Sequence, residues 1–222
     1  MGAWENWKLE QFIPLLRSVE LAGYTTLLLL LIGLPVAYLL SRWKNRWRGV
    51  VEAVVTLPLV LPPSVLGFYL LVAFSAFYRW WGLNLTFTFT GLVVGSLIYS
   101  LPFMIQPLQA GFEQLDRRIV EASYVAGKGW VETFFRIIIP NIKSHLITAI
   151  VLTFAHTVGE FGVVLMIGGN RPDIQVASIA IYQFVEEGDY FSAHLYSGLL
   201  VGINLVGLII LYFYRNKGSG NG

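Results

Sequence analysis

Cysteine is absent from the 222 residues, and histidine occurs only three times. Disulfides and thiolate metal sites are therefore excluded, and the redox compartment is left open. Charge is scarce as well. Only 13% of residues are charged and the net charge is +2, which is too little to argue for a nucleic-acid partner. The opening MGAWENWKLEQF has no basic stretch leading into a short apolar core, so no cleaved signal is expected. The closing residues 216–222, ending in GSGNG, read as a flexible tail.

Apolar surface takes the place of charge. Hydrophobic residues make up 56% of the chain, and the mean hydropathy is +0.66. A soluble domain of this length cannot hide that much, so lipid must cover part of it. Five stretches reach the roughly 20 apolar residues that a bilayer-crossing helix needs. They are Val19–Leu40, Val50–Phe77, Gly91–Gly111, Leu146–Gly168 and Ala193–Tyr214. The expected fold is an all-α integral membrane protein, one domain of five transmembrane helices. Six of the nine prolines fall inside these spans. Proline removes a helix hydrogen bond, and Pro58, Pro62 and Pro63 in succession leave the second span either broken or kinked. Gly91/Gly95 and Gly198/Gly202 permit close helix approach, within one subunit or across a dimer seam. A shorter apolar stretch, Ile174–Val185, reads as a helix that does not span: a re-entrant or interfacial one on the outer face, or a surface loop helix.

Lysine and arginine orient the chain. Arg42, Lys44, Arg46 and Arg48 follow the first span. Arg117, Arg118, Lys128, Arg136 and Lys143 follow the third, and Arg215 and Lys217 the fifth. Lys8, Arg17, Arg79 and Arg171 lie on the other side. The richer side is the cytoplasmic one. The N-terminus is then outside, the C-terminus inside, and the loop 112–143 faces the cytosol.

That loop carries the most specific string in the chain: Glu121-Ala122-Ser123, three residues, Gly127, nine residues, then Ile137-Ile138-Ile139-Pro140. Asp116 can cap a short helix through about Ala126, and Gly127 supplies the left-handed turn that ends it. A second helical piece from Trp130 to Ile138 is expected to stop before Pro140. Ala122, Ser123 and Ala126 would let a partner surface approach, with Arg117, Arg118 and Glu121 available for polar contacts. The chain holds no glycine-rich phosphate loop; Ala126-Gly127-Lys128-Gly129 lacks the first glycine and the hydroxyl that such a loop needs.

The string resembles the EAA loop of ABC importer permeases, with Ser123 for alanine and Ile139 for leucine. In that family a cytosolic ATPase grips the loop. The resemblance implies that ATP and magnesium are bound by a separate ATPase dimer and that this chain binds no cofactor and is no enzyme. It further implies a homodimer with the pathway between subunits, an external oxyanion-binding protein, and the inner membrane of a bacterium or archaeon. Leu57–Gly67, and Thr157-Val158-Gly159-Glu160-Phe161-Gly162-Val163-Val164 followed by Gly168-Gly169-Asn170, look like stretches of molybdate permeases; sulfate and tungstate permeases share parts of them. Molybdate is the expected cargo, with tungstate or sulfate as the alternative. A passive channel would need no docking loop. A membrane enzyme would need a catalytic cluster that the three histidines and absent cysteines do not offer.

His156 and Glu160 stand four apart and would share one helix face. An ionisable residue within a span is a functional candidate by default. A carboxylate repels an oxyanion, so Glu160 reads as an organiser of helix packing, paired with His156 or a neighbouring helix, ahead of a substrate contact. Two potential ligands without a third do not make a metal site. Pro58, Pro62, Pro63, His156, Gly159, Glu160, Phe161 and Gly162 are thus candidates for the pathway or for packing around it.

Overall fold

The computed structural model describes residues 12–219, with side chains through Tyr214. Lys8 and the side chains of Arg215 and Lys217 lie outside the described residues. Helical backbone reaches Ser219, within the stretch read as a tail. The described residues are helical and contain no strand.

Helix α1 (Ile13–Arg42) and α4 (Phe89–Gln114) form the central pair. In lipid the hydrophobic effect does not drive helices together, so close approach and polar contacts must. The α1 face toward the bundle mixes small residues, Ser18, Ala22, Thr25, Gly33 and Ala37, with the buried leucines Leu15, Leu21, Leu29 and Leu40. A Cβ on Gly33 would stand 2.8 Å from the Met104 side chain of α4. Thr88 starts α4 by accepting the Gly91 N–H at 3.1 Å on its hydroxyl. Gly91 and Gly95 pack inside the subunit, since a Cβ on Gly95 would strike Ile167 at 2.4 Å. Gly198 and Gly202 instead open on a groove beside Phe154.

The second expected span is broken. Helices α2 (Arg48–Val60) and α3 (Pro63–Trp81) meet at 111°. Pro62 holds extended ψ before Pro63 begins α3, because a residue preceding proline is driven out of the helical region. The fourth is not one continuous helix either. Helix α8 (Lys143–Val158) stops, Gly159–Phe161 turn, and α9 (Gly162–Gly168) resumes. This departs from the single span Leu146–Gly168, and no proline announces it. By length and composition α1, α4 and α11 (Tyr190–Ser219) can each cross a membrane, and two bent pairs raise the number to at most five. Helix α10 (Ala177–Glu186) fills the short apolar stretch, its first N–H donating to Ser18 Oγ at 2.8 Å.

Candidate functional site

Between α4 and α8 the chain folds into a compact helical knob. Helix α5 (Arg117–Val125) starts where Asp116 Oδ1 accepts the Arg118 N–H at 2.9 Å. It ends in paired bonds: Lys128 N–H to Ser123 O at 3.1 Å, and Gly127 N–H to Tyr124 O at 2.9 Å. This is the Schellman arrangement, and it needs a left-handed residue at Gly127, where φ is +79°. Helix α6 (Trp130–Thr133) then returns against α5. Ser123 and Thr133 hydroxyls, both buried, bond at 2.8 Å and fasten the two arms.

The second arm does not stop before Pro140. It widens into a π-turn over Phe134–Ile138 and continues through α7 (Ile139–Asn141). The ring of a proline clashes with the carbonyl four residues back in an α-helix. A π-turn relieves that clash by bonding Ile139 N–H to Phe134 O. Asn141 Nδ2 donates to Ile137 O at 2.7 Å, which occupies a carbonyl near the irregular turn.

The outward face of the knob is apolar. Val125 is 90% exposed, and Val131 and Phe135 are exposed with it. Ala122, Ala126, Arg117, Arg118 and Glu121 are exposed too. Ser123 is not a contact surface, as its small size had suggested; it faces inward and joins the arms. A groove of about 630 Å³ runs along Trp130, Val131, Glu132 and Phe135.

The other candidates gather where the two broken helices meet. A Cβ on Gly162 would lie 2.6 Å from that of Pro63, so the start of α9 sits directly on the start of α3. Pro58 is buried inside α2. Glu160 is buried in the α8–α9 turn. Its Oε2 accepts the Ser96 hydroxyl of α4 at 2.8 Å, and its backbone carbonyl accepts the Ser178 hydroxyl of α10 at 2.6 Å. One turn along, Ser100 and Thr157 bond at 2.8 Å while Thr157 donates to Thr153 O at 2.9 Å. Ser100 must then be the donor in that pair.

His156 does not pair with Glu160. It stacks on Phe103 with ring centroids 4.0 Å apart and tilts against Tyr99 at 4.7 Å. The spacing argument assumed a continuous helix, and the turn at Gly159 removes that condition. Phe161 contacts the ring of Tyr182 on α10 at 5.5 Å. Ser96, Ser100 and Thr133 were missed as functional residues. Their signal was faint: two serines four apart on an apolar helix present one polar stripe to a neighbour.

Residues 30–217 fit the model of the binding-protein-dependent transport system inner membrane component. The chain belongs to this family. It is 46% identical over 211 residues to the Molybdenum transport system permease protein ModB of Azotobacter vinelandii, covering 91% of this chain and 93% of that one. It is 31% identical to the probable sulfate transport system permease protein cysT of Chlorella vulgaris, covering 90% and 78%. In fold it resembles a bacterial alginate ABC transporter solved in complex with a pentasaccharide-bound periplasmic protein. That match has a TM-score of 0.73 and 18% identity over 97% of this chain and 82% of that one.

Proposed function

We propose that the chain is the transmembrane permease subunit of an ATP-driven oxyanion importer, with molybdate as cargo. The observation that carries the reading is the knob. A Schellman turn at Gly127 and an internal hydroxyl bond hold its two arms rigid, and Val125, Val131 and Phe135 face outward. An exposed apolar patch with a polar rim marks a protein interface. The 46% identity to a molybdenum permease supports the choice of cargo.

In this reading five spans cross the inner membrane of a bacterium or archaeon, N-terminus outside and C-terminus inside. The knob lies in the cytosol. Two copies enclose the pathway, an ATPase dimer grips the two knobs, and an external binding protein delivers the anion. The chain does no chemistry; ATP and magnesium sit on the ATPase. ATP closing the motor moves the rigid knobs, and the spans rock with them. Selectivity resides mainly in the binding protein, which can surround a desolvated oxyanion with charge-assisted hydrogen bonds. The permease needs a weak lining that does not trap the anion. Glu160 organises the helix junction and does not touch cargo.

Two experiments test this. An ATPase carrying Walker motifs should copurify with the chain; its absence from a stable, homodimeric preparation would contradict the reading. Calorimetry of the cognate binding protein with molybdate, tungstate and sulfate should give the tightest binding to molybdate. Preference for sulfate would move the cargo and leave the pump intact.

A further inference from the structure

Helix α11 carries two glycines whose missing side chains the subunit does not replace. A Cβ on Gly198 or Gly202 would meet no atom within 4 Å. Glycine inside a helix is destabilising relative to alanine, and the subunit's own packing does not require it at either position. With Phe154 of α8 and Val206 and Ile210 of α11, they line an apolar slot of about 610 Å³. That is room for roughly twenty groups of water's size, and a phospholipid acyl chain has a similar number of carbons. From Gly198 to Ile210 the slot follows α11 for about 18 Å. One leaflet of a bilayer's hydrocarbon core is about 15 Å deep.

A cation stands at the knob end of this slot. Tyr214 lies one turn beyond Ile210 on the same face of α11. Lys143, the first residue of α8, precedes Phe154 by three helical turns and so shares its face. Both Lys143 and Tyr214 are exposed, and Lys143 Nζ lies 5.5 Å from the centre of the Tyr214 ring. Arg17, Arg48, Lys128, Arg136 and Arg171 each have a carboxylate within ion-pairing distance, and among the described residues Lys143 has none. Its charge is left for an anion from outside the chain.

These features separate the possible occupants. The slot is lined by glycine, aliphatic and phenylalanine side chains only, so a partner helix would find no hydrogen bond there. An isologous contact with a second copy through the slot would also bring two Lys143 to one depth, where like charges repel. An anionic phospholipid suits both parts, its acyl chain the apolar floor and its phosphate the ammonium.

We propose that the α8–α11 slot binds an anionic phospholipid of the leaflet nearer the knob, with one acyl chain in the slot and the phosphate on Lys143. Helix α8 begins directly beyond the knob, so the bound lipid braces the root of the knob against α11. The site goes beyond the importer reading and stands whatever cargo the chain carries.

The test counts lipids bound to the full-length chain, purified in detergent, by native mass spectrometry. Phosphatidylglycerol and phosphatidylcholine are compared at matched concentrations. Wild type should hold one phosphatidylglycerol about fivefold more tightly than phosphatidylcholine. Lys143→Gln should bring that ratio close to one, while Lys44→Gln, which removes an exposed cation after α1, should leave it unchanged. Gly202→Leu fills the slot and should abolish this binding without lowering thermal stability in lipid-free detergent. Should Gly202→Leu fail to fold, the comparison of Lys143→Gln with Lys44→Gln decides. Equal effects of those two variants would show only a general attraction to basic residues and overturn the proposal. Unchanged lipid binding in a folded Gly202→Leu would overturn it as well. If that variant also lost its dimer, the slot would belong to a second copy of the chain.

Discussion

The knob and the junction of the broken helices are each tied by a bond between two buried hydroxyls, 2.8 Å long in both places. Around that shared element they differ in what the buried bond joins: two arms of one hairpin in the knob, and helices distant in sequence at the junction. In the knob the Ser123–Thr133 bond lies inside, the backbone turns at Gly127, and large apolar side chains are turned outward. At the junction the polar groups Glu160, Ser96, Ser100 and Thr157 are buried and tie helices together, while Val60 at the α2 break is exposed. One region is a rigid handle, and the other is a joint held from within. The difference teaches that inward polarity in this chain organises helices, while the face proposed for the ATPase carries exposed apolar side chains.

The largest effect should come from emptying the joint. Glu160→Ala leaves the Ser96 hydroxyl without its acceptor and opens a void between α4, α8 and α9. The cost should be about 2–4 kcal/mol in unfolding of the purified chain. Glu160→Gln keeps the volume and an acceptor, so it should impair assembly or coupling more than oxyanion preference. Intact assembly with altered preference would make Glu160 a cargo contact and erase the contrast drawn here.

Next comes the handle's outer face. Val125→Asp should weaken ATPase binding by about 2 kcal/mol, the scale of an interface hot spot, with no change in thermal unfolding. A drop in stability instead would show that Val125 packs within the chain. Gly127→Val should follow at about 1–2 kcal/mol, because a β-branched residue is strained at φ +79°. Its loss should appear as weaker ATPase binding with the bundle still folded.

The smallest effect compares the two hydroxyl bonds directly. Double-mutant cycles on Ser123→Ala with Thr133→Val, and on Ser100→Ala with Thr157→Val, should give coupling energies of about 1 and about 0.6 kcal/mol respectively. The junction bond is worth less because a chain unfolded within lipid finds other polar partners. A junction coupling well above the knob's would reverse that ranking.

Much of this was legible in the residues, for local reasons. The knob follows from Asp116, Gly127 and their spacing, since capping and left-handed turns depend on a few adjacent residues. The break after Val60 follows from Pro62 and Pro63 in the same way. The break at Gly159–Phe161 was not legible. It depends on bonds from Glu160 to residues 64 positions away on α4 and 18 away on α10. The inward turn of Ser123 escaped for the same reason, because its partner lies across the hairpin. Pro140 misled in the other direction: a proline stop was expected, and a π-turn accommodates the ring without ending the helix.

The most direct test of the account is ATP-driven molybdate uptake into proteoliposomes holding the ATPase and the binding protein, with wild type beside Val125→Asp. Wild type should accumulate molybdate, with hydrolysis stimulated by loaded binding protein. Val125→Asp, folded and dimeric, should lose most of both. Uptake and stimulated hydrolysis at wild-type rates in Val125→Asp would show that the knob's apolar face is not where the motor grips.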